Sequence, residues 1–244
     1  MTVAGQLVQS EDFDGPMNMA IDEMLWIVSG DGIPRLRLYG WADRPSLSLG
    51  YFQSSHEVRS VASWCDLPFV RRMTGGGAII HDDDLTYSLA VPTSLAPRSS
   101  ELYDRLHHAI AGELRSIGVS AVVGDSLTAG EQADRLCFLR SDRFALRVGQ
   151  SKILGSAQRR RSASVLVQGS LLLATSRAAP EIPGLQELIG GPVDRQQVSE
   201  AIVRAVQSAF MLEFQPVELS SDLRGQAAQL AVEKYKSPSW NERR

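Results

Sequence analysis

Apolar residues at Met17, Ile21, Met24, Leu25 and Val28 recur with a helical period and predict a helix over residues 17–29. Asp14 and Pro16 ahead of it are start signals, and Gly30 behind it is a stop. The period then falls to two. Residues 35–39 and 46–49 alternate and read as strands, and 68–72 reads as a short strand feeding Gly75-Gly76-Gly77. Residues 78–81 and 85–91 read as two strands joined at Asp82-Asp83-Asp84, with Leu85, Tyr87, Leu89 and Val91 on one face. The clearest helix covers 100–117, striped by Leu102, Leu106, Ile110, Leu114 and Ile117 and closed by Gly118. Residues 144–148 and 153–157 predict a hairpin about Gly149-Gln150, and 164–173 a further strand. Prolines and glycines make 174–193 a loop or linker. Asp194 caps a helix running through Phe210, and a last helix covers 221–235.

Hairpins interleaved with helices in this order predict an α+β fold with a mixed central sheet, not a doubly wound parallel one. The expected organisation is one catalytic-type domain over 1–244, with 194–244 as a helical C-terminal part. Composition agrees with a globular chain: 43% of the 244 residues are hydrophobic, enough for a sizeable core. A net charge of -3 gives no overall basic field, so a nucleic-acid partner is not expected. No stretch is long and apolar enough for a membrane span, and the N-terminus lacks the basic and apolar regions of a secretory signal. Only Cys65 and Cys137 occur, which points to a reduced, cytoplasmic setting. With no CxxC and four scattered histidines, no metal site is expected.

Several stretches could carry chemistry. Three consecutive glycines cost conformational entropy. They form either a flexible turn or a loop whose bare backbone lies against a ligand; neither GxxxxGK[ST] nor GxGxxG is present. Arg71 and Arg72 precede them and, in a strand, point to opposite faces, so one can face a pocket and pair with an anion. Lys152 lies beside a hairpin turn ahead of Gly155-Ser156-Ala157. It is either a solvated flank or a cation aimed at an oxyanion or phosphate. Cys137 is either a small buried hydrophobe or, if a bend brings Lys152 to it, a nucleophile; Cys65 reads as core. His107 and His108 read as surface or flank residues of the long helix. His81 could shape a pocket. The aspartate run 82–84 and Arg159-Arg160-Arg161 read as solvated, the latter also as a dock for an acidic protein.

Together these stretches resemble the biotin/lipoate protein ligase superfamily, on its lipoate side. Residues 17–23 (MNMAIDE) look like its first helix, 50–53 (GYFQ) like the strand end that follows, and 71–78 (RRMTGGGA) with His81-Asp82 like its glycine motif. Residues 152–158 (KILGSAQ) look like its lysine motif, 168–172 (QGSLL) like a stretch often carrying His-Gly, and Lys234-Tyr235 with Trp240-Asn241 like its C-terminal ending. The resemblance implies a mixed sheet with flanking helices, like the catalytic domain of class II aminoacyl-tRNA synthetases. It implies attachment of octanoyl or lipoyl groups to a lysine of a lipoyl carrier domain, of the glycine cleavage H protein or 2-oxoacid dehydrogenase E2 type. Substrate-binding positions carried over are Arg71, Arg72, Thr74, Gly75, Gly76, Gly77, His81, Gly155, Ser156, Ala157 and Gly169.

Two enzymatic branches follow from it. A cysteine-dependent octanoyltransferase would take octanoate from acyl carrier protein onto Cys137 and pass it to the carrier lysine, with Lys152 polarising the carbonyl and no cofactor. An ATP-dependent lipoate-protein ligase would use ATP and Mg, with Arg71, the glycine loop and Lys152 around an acyl-adenylate. Cys137-Phe138 before the lysine motif favours the transferase; Gly77, where transferases often carry arginine, fits the ligase. Gln168 stands where the usual residue is histidine. A third reading is a non-catalytic acyl-binding homologue of the same fold.

Overall fold

The computed structural model describes residues 2–96, 98–124, 135–140 and 142–243. Its strands are β1 (Val3–Gln9), β2 (Arg35–Tyr39), β3 (Ser46–Leu49), β4 (Phe69–Arg71), β5 (Ile79–His81), β6 (Asp84–Pro92), β7 (Val122–Val123), β8 (Leu146–Val148), β9 (Ser151–Arg160), β10 (Ser164–Leu172) and β11 (Leu212–Glu218). Its helices are α1 (Gly15–Val28), α2 (Ser55–Arg59), α3 (Ser99–Ser116), α4 (Leu185–Ile189), α5 (Arg195–Phe210), α6 (Ser221–Leu230) and α7 (Pro238–Asn241). Among the described residues the large sheet runs β11-β1-β2-β6-β10-β9-β8-β7, and a small one runs β4-β3-β5. The pairs β11–β1 and β1–β2 are parallel and the others in the large sheet antiparallel, so the sheet is mixed.

Both faces of the large sheet are covered. On one, Leu102, Leu106 and Ile110 of α3 and Val198, Ile202 and Val206 of α5 share a core with Leu85, Tyr87 and Leu89 of β6. On the other, Met19, Ile21 and Leu25 of α1 and Ala227 of α6 pack with Ala90 and Leu166. Asp14 starts α1 by accepting a hydrogen bond from the Met17 amide at 2.9 Å, with Pro16 in the first turn. The polar face of β6 is buried too, because helix and sheet satisfy it: Ser88 Oγ donates to Asp22 Oδ1 at 2.7 Å.

The elements differ from the sequence pattern in several places, among them the short α2, β7 and α7, which no pattern announced. β1 and β11 were not apparent: they form the outer parallel pair, with few core positions and no clean alternation. The C-terminal part read as helical therefore also supplies a strand. Within 174–193, α4 forms a five-residue helix. The last helix widens into a π-helical turn at Ala231–Tyr235. Among the described residues no helix is long and apolar enough to cross a membrane.

Candidate active site

A cavity of about 320 Å³ opens where the small sheet meets β9 and β10. Its first wall is the glycine loop between β4 and β5. Gly76 adopts φ of 90°, a backbone state that side chains disfavour. Arg72 braces the loop from behind, donating to Gly75 O and Gly77 O, each at 2.7 Å, and to Ser48 O at 2.9 Å. Burial pulls the Arg72 guanidinium down to about 10, which leaves it cationic at neutral pH.

The second wall is β9, and a bulge sets its facing. Arg147 pairs with Lys152 while the adjacent Leu146 pairs with Leu154, so Ile153 has no opposite number. Ile153 and Leu154 consequently both enter the apolar core, and Lys152 and Gly155 both face the cavity. An added Cβ on Gly155 would lie 2.9 Å from Lys152 Cε and 3.4 Å from Cys137 Sγ. The bare α-carbon is what lets the lysine side chain cross the strand toward the sulfur.

The third wall is the 3-10 turn Cys137–Leu139. It is stitched to the glycine loop: Ala78 N donates to Arg135 O and Cys137 N to Ala78 O, both at 2.8 Å. A Cβ on Gly77 would stand 2.8 Å from Cys137 N, so Gly77 is needed for this close approach. Lys152 Nζ lies 3.1 Å from Cys137 O, 3.8 Å from Cys137 Sγ and 4.0 Å from Asp142 Oδ2. The cation is buried at 2% exposure; among the described residues it donates one ordinary hydrogen bond, to Cys137 O, and its other contacts, to the Cys137 sulfur and Asp142, are long.

At the inner end, Met19, Tyr39, Trp41 and Ile79 line the cavity. His81 stacks on Trp41 with ring centroids 3.7 Å apart and donates from Nδ1 to Asp84 Oδ2 at 2.9 Å. Thr86 and Ser170 hydroxyls donate to the same oxygen at 2.9 and 2.7 Å. Burial raises the Asp84 carboxyl, but His81 and these hydrogen bonds outweigh it and hold it below its usual value. Asp84 is thus a buried anchor and not the solvated turn residue that the sequence suggested.

Of the residues singled out in the sequence, Arg72, Gly76, Gly77, His81, Cys137, Lys152, Gly155, Ser156, Ala157 and Gly169 line this cavity. Gly75 lines an adjoining one. Thr74 sits behind the loop, donating to Gln168 Oε1 at 2.9 Å. Arg71 turns away: its guanidinium donates to Gly50 O, Gln53 O and Asn241 O at 2.7 to 2.9 Å. Cys65 is half-buried at a surface turn, not in the core. His107 is 1% exposed, not a surface residue, and bonds Ser156 Oγ at 2.7 Å. Its signal was its position four residues after Tyr103 on the flank of the apolar stripe. Gln168 links the glycine loop to α1, donating to Asp22 Oδ2 at 2.7 Å.

The family model for the lipoyl protein ligase A/B catalytic domain matches residues 14–181. The chain belongs to this family. The octanoyltransferase LipM of Exiguobacterium sibiricum is 32% identical, with 98% of each chain covered. That of Kyrpidia tusciae is 34% identical over 93% of this chain and 94% of its own. Two solved structures share the fold at 22% identity. A lipoate-protein ligase A bound with ATP superposes with a TM-score of 0.81 over 98% of this chain and 99% of its own. A bipartite lipoate protein ligase from Thermoplasma acidophilum gives 0.73 over 98% and 96%. The lipoyl ligase family fold is therefore the α+β, mixed-sheet architecture that the sequence suggested.

Proposed function

We propose that this chain is an octanoyltransferase that carries the acyl group as a thioester on Cys137 and delivers it to a lysine of a lipoyl carrier domain. The observation that carries this reading is Lys152 Nζ 3.8 Å from Cys137 Sγ in the wall of a cavity. The curated relatives named octanoyltransferase support it.

The Cys137 thiolate attacks the carbonyl of an octanoyl thioester, an acyl carrier protein being the donor. A carbon–sulfur bond forms to Cys137, and the donor sulfur departs and takes a proton. The Lys152 ammonium faces both the attacking sulfur and the oxyanion that develops beside it. The octanoyl chain runs inward along Ile79, Trp41 and Met19. The amine of the carrier lysine then forms the amide bond and expels Cys137, with one proton passing from nitrogen to sulfur. The recipient is a lipoyl domain of the H-protein or E2 type, and the protein works in the cytoplasm. A thioester is already activated, so no cofactor enters.

The ATP route fits these residues less well. Arg71, expected beside an adenylate phosphate, spends its guanidinium on carbonyls outside the cavity. The test offers the protein octanoyl-acyl carrier protein and reads its intact mass, with Cys137→Ala as control. A parallel pair of reactions offers an apo lipoyl domain either that donor alone or lipoate with ATP. The expected result is an octanoyl adduct dependent on Cys137, followed by modification of the domain without ATP. Modification only with lipoate and ATP, or an adduct that survives Cys137→Ala, overturns the reading.

A further inference from the structure

His107 has no part in the chemistry above, yet it is buried between the two elements that carry that chemistry. The segment holding Cys137 and Asp142 is tied at its near end to Ala78. At its far end Phe144 O bonds His107 Nδ1. The other imidazole nitrogen, Nε2, bonds Ser156 Oγ at 2.7 Å, and Ser156 lies on β9 four residues beyond Lys152. One ring thus bridges the cysteine segment and the lysine strand.

Simple chemistry fixes the direction of these bonds. A carbonyl only accepts, so Nδ1 carries the hydrogen and donates to Phe144 O. In the neutral ring Nε2 is then an acceptor, and Ser156 Oγ must donate to it. Tyr87 OH, 2.6 Å from Ser156 Oγ, must in turn donate to the serine. Three adjacent strands are shaped for this chain. Tyr87, Gly169 and Ser156 are register partners side by side. A Cβ on Gly169 would stand 2.6 Å from the Tyr87 hydroxyl, so only a glycine lets the phenol cross β10 to reach the serine. Burial draws the imidazole down to about 4, opposed by the Phe144 carbonyl and Asp142 and assisted by Lys152 and His108, so the ring is neutral at physiological pH.

We infer that His107 is a positioning residue: as a two-ended tether it sets the Cys137 segment against Lys152. The inference rests on the Cys137–Lys152 reading, but its test needs no carrier protein, so failure of octanoyl transfer and failure of the tether are separate results. Cys65 supplies an internal control, being a second free thiol far from His107 in sequence.

The experiment measures alkylation of Cys137 and Cys65 by iodoacetamide in the full-length protein at neutral pH, with peptide mass spectrometry resolving the two sites. In His107→Leu, which removes both bonds, the Cys137:Cys65 rate ratio falls roughly tenfold. His107→Gln restores it to within a few-fold, because a carboxamide can donate to Phe144 O and accept from Ser156. Ser156→Ala, which cuts one bond and keeps the ring, gives a smaller fall and serves should the leucine variant fail to fold. Lys152→Ala lowers the ratio alone, and His107→Leu adds nothing on top of it, the non-additivity expected if His107 acts through Lys152. An unchanged ratio in both His107→Leu and Ser156→Ala, no recovery with glutamine, or full additivity with Lys152→Ala overturns the tether.

Discussion

The two ends of the cavity are built on opposite terms. At the inner end one oxygen of Asp84 accepts three hydrogen bonds, and outside the cavity Arg71 holds carbonyls of three residues at 2.7 to 2.9 Å. At the mouth the Lys152 ammonium, just as deeply buried, has among the described residues one hydrogen bond at 3.1 Å and two longer contacts at 3.8 and 4.0 Å. A buried charge that is fully bonded stabilises its surroundings. One that is left short of partners costs folding free energy and keeps its field for something that arrives later. The difference separates groups that hold the site from groups that work in it.

The sharpest way to break that contrast is to remove the mouth. Cys137→Ala and Lys152→Ala should each cut octanoyl transfer by about 10³-fold or more, while melting temperatures hold or, for Lys152→Ala, rise. A transfer assay beside a thermal melt checks both halves. Arg71→Ala tests the opposite pole. It should destabilise by about 2–4 kcal/mol in urea unfolding, because several buried carbonyls lose their donor.

The third prediction concerns pH. Above about 6.5 His107 is neutral both folded and unfolded and contributes nothing to pH dependence. Below that value the unfolded chain takes up a proton that the folded one refuses until about 4. Stability should therefore fall as pH drops through this window, by at most about 3 kcal/mol, and His107→Gln should flatten the fall in denaturation midpoints. Smallest in free energy are the glycines. Gly77→Ala and Gly155→Ala should slow transfer about 10- to 100-fold by displacing Cys137 or Lys152; Gly155→Ala meets only a side chain that can yield and keeps stability, whereas Gly77→Ala meets the backbone at Cys137 and lowers it as well. Single-turnover acylation of Cys137 measures this directly.

Residues whose partners are close in sequence could be read from the sequence, and those with distant partners could not. The glycine loop, Lys152 and the small residues after it announce themselves in short stretches, and the strands and long helices follow from periodicity. Arg71 and Arg72 look alike as neighbours. Their fates part because Asn241, 170 residues along the chain, claims one of them. His107 reads as a flank residue until Ser156, 49 positions away, closes on it. β1 and β11 pair in parallel across most of the chain, and neither alternates cleanly enough to show it. Gly77 suggested adenylate chemistry by resemblance; the structure gives it a local reason, the approach of the Cys137 amide.

The unpaired Ile153 makes the length of β9 matter as much as its composition. Side chains on a strand obey parity, and the bulge is a single added count that flips it between Lys152 and Leu154. Regularising the strand at its present length would keep every chemical group of the site in the sequence and return β9 to strict alternation. The ammonium would then be directed into the apolar layer beneath α3. Substitutions here can be graded, but the bulge is all-or-none: with this number of residues between Gly149 and Gly155, the lysine faces the cavity only while the extra count is kept.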